Sequence, residues 1–110
     1  METKNSVKSR LKISEDVILT VARLAALDVK GVAGLDGEMN AVNRLLNNRP
    51  VSITPMGDVA AVDVKIIVSG DAKASATALA VQQAVKEDVQ NMTGIAVAQV
   101  NVYINGVKYE

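Results

Sequence analysis

VKEDVQNMTGIAVAQVNVYING, from Val85 to Gly106, changes its hydrophobic period once, and that change decides the fold. Up to Met92 the apolar residues recur at helical spacing. From Ile95 onward they alternate: Ala98, Val100, Val102 and Ile104 point one way, Gln99, Asn101, Tyr103 and Asn105 the other. Gly94 sits at the change, where a left-handed residue closes a helix at no steric cost to glycine. The stretch therefore predicts a capped helix feeding a strand, with Ile95 folding back toward Val89.

Working outward, the helix extends back to Lys73, with a stripe of Ala74, Ala78, Val81, Val85, Val89 and Met92. Gln82, Gln83, Lys86 and Gln90 mark its wet face, and Leu79 falls on that side as an exposed leucine or a partner contact. Before it, Ala60, Val62, Val64, Ile66 and Val68 form the inward row of a long strand. Val51–Thr54 alternates too, and the turn residues Pro55–Asp58 join the two as an antiparallel hairpin. The last strand returns after a single helix, so it should lie parallel to the long one through a right-handed crossover.

The N-terminal third is less regular. Residues 1–12 hold four basic residues against one acid, a net of +3, and predict a flexible leader able to touch anionic lipid only transiently. Ser14 is the expected N-cap of the first helix, whose stripe is Val17, Val21, Leu24 and Ala25 flanked by Ile18 and Ala22, ending near Val29. Gly31–Gly37 reads as an extended or turning stretch, and Asn40–Asn48 as a weak helical segment stopped by Pro50. The expected architecture over residues 13–110 is a single two-layer α+β domain. Its sheet is three-stranded and mixed, in the order helix–strand–strand–helix–strand, with helices packed on one face.

Composition narrows the chemistry. Of 110 residues, 49% are hydrophobic, enough for one modest core. Without cysteine or histidine there are no disulfides, no thiolate ligands and no imidazole base. Twelve basic residues balance twelve acidic ones, and two tyrosines are the only aromatic rings, which disfavours nucleic-acid binding by charge or by stacking. No apolar run is long enough to span a membrane, and a cytoplasmic location is the default expectation. Glu87 and Asp88 are helical neighbours pointing about 100° apart, a poor acid–base pair. Asp36 and Glu38 lie in a glycine-rich turn without the further acids of a calcium loop. No catalytic, cofactor-binding or metal-ligating set emerges, and an enzyme is not expected. Gly31-Val32-Ala33-Gly34 matches the bare G-x-x-G of a KH loop, but its middle residues are not basic.

Three blocks taken together carry a resemblance. They are Ile13–Ile18 (ISEDVI), Ala25–Leu35 (AALDVKGVAGL) and Val89–Val102 (VQNMTGIAVAQVNV). From about Leu11 to Val107 the chain resembles the alkaline shock protein family, the envelope-stress proteins of Gram-positive bacteria. The resemblance implies a non-enzymatic structural or interaction protein with no cofactor, no small-molecule substrate and no nucleic-acid partner. It implies a place at the inner face of the cell membrane, reached through an integral-membrane anchoring protein. Self-association through a sheet edge is a further expectation. Some subgroups of the family are linked to regulation of lipid synthesis, and a KH-like RNA-binding module is the alternative from another class.

Overall fold

The computed structural model describes residues 3–36 and 49–109, with side chains from Glu15 onward within those ranges. The elements are α1 (Thr3–Leu27), β1 (Val32–Leu35), β2 (Val51–Met56), β3 (Val59–Ser69), α2 (Ala74–Thr93) and β4 (Ala96–Lys108). Residues 40–48, where the sequence suggests a weak helix, lie outside the described residues.

β3 is the centre. Its alternating side chains leave Val62, Val64, Ile66 and Val68 on one face, all buried against Val81, Val85 and Val89 of α2 and the apolar side of α1. Each such side chain contributes about 1.5–3 kcal/mol when fully withdrawn from water. β4 runs parallel to β3 along its length, as the single-helix crossover requires. On the other side β2 pairs antiparallel with Val59–Val64.

β2 is too short to cover β3, and this corrects the expected strand count. The sheet has four strands, and the element order is helix–strand–strand–strand–helix–strand. β1 occupies the remaining length, antiparallel to Ile66–Val68. The glycines around it read as punctuation in the sequence, but Leu35 is buried beside Ile66 and completes the inner face. β2 also runs past Thr54 through Pro55 and Met56, leaving Gly57-Asp58 as the turn. Proline is tolerated there because β2 pairs on one side only.

The helices differ from expectation in phase. α1 includes the basic segment from Thr3 onward and runs unbroken through Ser14, which is therefore an interior residue and not an N-cap. Nothing between Thr3 and Ile13 is glycine or proline, so no local signal stops the helix there. The buried side of α1 is Ile18, Ala22, Ala25 and Ala26, while Leu24 is 57% exposed and Val17 is also exposed. Three alanines on the buried side allow close approach to the sheet and α2, where the larger leucine would not fit. In α2 the buried row is Thr77, Val81, Val85 and Val89, strictly four apart; Ala74 and Met92 are exposed. Its C-terminus behaves as read from sequence. Gly94 has φ +75° and donates its N–H to the Gln90 carbonyl, and Ile95 packs against the core.

Ile66→Ala is expected to cost about 2–5 kcal/mol in urea denaturation. Leu24→Ala should change stability by no more than about 0.5 kcal/mol. Comparable losses from both would return Leu24 to the core and overturn this phase of α1.

Candidate functional site

The surface features outside the core meet along β4. In the register with β3, Ala60 pairs with Val97 but Ala61 with Gln99, so Ala98 is an extra residue in a bulge. A second shift leaves Asn105 unpaired between Ile104 and Gly106. The first bulge turns Val97 inward, where it is buried, and sets Ala98 out in solvent. This reverses the expected direction of Ala98. From Val100 to Ile104 the alternation read from sequence holds.

α2 reaches over the outer side of this strand. Gln90 accepts from the Val97 N–H at 3.0 Å, and Gln82 donates to the Val100 carbonyl at 3.1 Å. The sequence assigns both glutamines to a wet face. They instead satisfy backbone groups that β3 does not reach, which an unpaired edge otherwise leaves to water. Thr93 makes a similar local tie, donating to the Val89 carbonyl at 2.6 Å and accepting from the Ile95 N–H at 3.2 Å.

The face of the sheet opposite the core is polar at its middle. Asn101 donates to Asp63 across the β3–β4 pair at 2.8 Å. Asn105, thrown out by its bulge, donates to Asp36 beyond the end of β1 at 2.9 Å. Tyr103 lies between them, opposite Lys65. Two amide–carboxylate contacts thus tie β4 across β3 and out to the end of β1. Sequence periodicity placed Gln99, Asn101, Tyr103 and Asn105 in one outward row; their acidic partners are far away in the chain and carry no local signal.

The other candidates resolve individually. Glu87 is exposed and Asp88 half-buried on α2, and no described contact joins them to a base. Asp36 is engaged by Asn105, and Glu38 lies outside the described residues. Among the described residues no group of three or more acids could hold a metal ion. The Gly31–Gly34 tetrapeptide enters β1 and is not a loop between two helices. Its Gly31 carbonyl accepts from Ser69 N–H, and Val32 and Gly34 pair with β3. Gly31 has φ +102°, and a Cβ there would lie 2.6 Å from Thr77 Oγ1. Gly31 thus sits where the α1–β1 connection meets the end of β3 and Thr77 of α2, and Gly34 is part of the β1–β3 ladder.

Comparison with known proteins agrees with this geometry. Residues 3–109 match the model of the alkaline shock protein 23 (Asp-23) family, described as having a cell envelope-related function. Protein YloU of Bacillus subtilis (strain 168) is 35% identical over 106 residues, covering 90% of this chain and 88% of its own. YqhY of the same organism is 23% identical over 115 residues, covering all of this chain and 85% of its own. Among solved structures, a MamM CTD superposes with a TM-score of 0.52 at 15% identity, over 88% of this chain and 98% of that one. At that identity the likeness concerns the fold.

The two glycines of the tetrapeptide separate a fold role from a loop role. Gly31→Ala should lower stability by about 1–3 kcal/mol, through its positive φ and the Thr77 contact. Gly34→Ala meets open space and should cost under about 0.5 kcal/mol, measured by the same denaturant titration. Equal losses would contradict the assignment.

Proposed function

Because the chain belongs to the Asp-23 family, whose function is cell envelope-related, we propose that it is a non-enzymatic structural and interaction protein of the envelope stress response, held at the cytoplasmic face of the membrane by an integral-membrane partner. The observation that carries this reading is that the family match spans residues 3–109, so the envelope role belongs to this whole domain. What the domain offers is contact surface: a strand edge and exposed aliphatic side chains on both helices. These groups recognise other polypeptides through backbone pairing and apolar contact.

The proposed division of labour with a partner is compatible with the helices. Among the described residues no helix is long and apolar enough to cross a membrane. The reading therefore assigns the span to the partner and recognition to this domain. A KH-like role has less support, since Gly31 is packed against Thr77 of α2 and Gly34 belongs to a strand paired with β3.

Fractionation of native cells combined with crosslinking tests the proposal. The expected result is a protein that sediments partly with membranes and crosslinks to one integral-membrane protein, whose deletion releases it. A protein found wholly in the soluble fraction, with no membrane protein among its crosslinks, would falsify the tethered role.

A further inference from the structure

β4 has pairing capacity left over. β3 takes its inner side from Ala96 to Lys108, and Gln90 and Gln82 cap its outer side at Val97 and Val100. Backbone groups alternate along a strand, so the N–H and C=O of Val102 and Ile104 point outward as those of Val100 do. Among the described residues nothing pairs with them.

Exposed side chains with apolar surface flank this free segment. Ile104 is 38% exposed and Tyr103 48%, and Leu79, on the flank of α2 that carries Gln82, is 58% exposed. From Ala96 to Val107 the strand has no charge and no proline, the usual devices that keep edges apart. The opposite edge is built differently: it consists of the short strands β2 and β1, and Pro55 interrupts its donors.

The free segment is also close to palindromic. Asn101-Val102-Tyr103-Ile104-Asn105 reads amide, β-branched, aromatic, β-branched, amide from either end. We propose that β4 pairs antiparallel with β4 of a second copy of this chain, about a two-fold axis through Tyr103 and perpendicular to the sheet. Val102 then lies opposite Ile104 of the other copy on each side of the axis, and each such pair exchanges both N–H···O=C bonds. Tyr103 faces its own counterpart, and Asn101 faces Asn105. Each contact then occurs twice, as a two-fold interface demands, and the facing residues are also alike in type at every position. The asparagines are already held by Asp63 and Asp36, so pairing orders little that is free in the monomer. Both copies keep their helices on one face, which brings the α2 flanks bearing Leu79 toward the seam. The pairing stops where Gln82 sits on Val100, and so covers residues 101–105.

This inference rests on the reading of the domain as an interaction module, and names a second copy as a partner. Since the chain contains no cysteine, one substitution at a time reports the register. Directly opposite residues of a non-hydrogen-bonded antiparallel pair have Cα atoms about 4.5 Å apart, within disulfide range. Tyr103→Cys should therefore form a disulfide-linked dimer under mild oxidation. Asn101→Cys should not, because the two copies of that position lie about 14 Å apart along the strands. By sedimentation equilibrium the full chain should double its mass with concentration. Ile104→Lys should weaken dimerisation at least tenfold while leaving the melting temperature nearly unchanged. A chain that stays monomeric at every concentration overturns the proposal, even if it captures an extended peptide. Crosslinking at residue 101 as readily as at 103, or an Ile104→Lys dimer of undiminished strength, overturns it too. An unsubstituted chain that is monomeric yet recovered with membranes would remove the pairing and leave the proposed function standing; a dimeric chain never recovered with membranes would do the opposite.

Discussion

The burial of β3 is the constraint from which the rest of the structure follows. It is paired on both sides and covered on one face by two helices, so its inner row can be branched aliphatic residues throughout. Its eleven residues exceed the six of β2, and a buried strand cannot leave backbone donors unpaired. β1 is recruited to the remainder, and with it the α1–β1 junction is drawn against α2. The close contact of Gly31 with Thr77 is a consequence of that recruitment. A short glycine-punctuated segment thus gains a structural role because the strand beside it is long.

β4 answers the same constraint from the other side. Matching β3 over its full length requires two bulges, at Ala98 and Asn105, which absorb differences in twist between the strands. The bulges decide which groups face outward. One delivers Val97 to the core with its N–H available to Gln90; the other pushes Asn105 out to Asp36. The helix that feeds β4 therefore guards the first part of its outer edge, and the geometry ends that protection at Val100. What this surface exposes is connected to the core by a short chain of causes.

Much of this was legible in the residues. The row Val62, Val64, Ile66 and Val68 alternates without interruption, a turn precedes it, and one helix separates it from the next alternating run; hairpin, parallel crossover and two-layer packing follow. Gly94 announced its own cap. The three sequence blocks were enough to indicate the family, and they did so through helix, turn, cap and strand positions. What periodicity could not report was phase. It weighs Leu24 above Ala25 and Ala26, yet close packing of α1 selects the alanines. Bulges add a residue without altering composition, so the reversal of Ala98 left no trace in the pattern. Gln82 and Gln90 looked like solvent-facing polar residues because their partners are backbone atoms, which have no identity in a sequence.

That last point bears on how such a domain can recognise anything. Four polar side chains on β4 and α2 are spent on the protein itself: Asn101 on Asp63, Asn105 on Asp36, Gln82 and Gln90 on the strand. A surface whose side-chain hydrogen bonds are internally satisfied offers a partner backbone groups and apolar area. Backbone pairing supplies affinity with little regard to sequence, whereas the side chains on either side of the seam supply the discrimination. At β4 those are Val102, Tyr103 and Ile104, with Leu79 exposed on α2 one turn from Gln82. Tyr103 is the one large ring in the row and occupies its middle, so any strand that docks here must accommodate that ring first. The pairing proposed for this edge would therefore take its selectivity from the shape and apolar character of a few side chains.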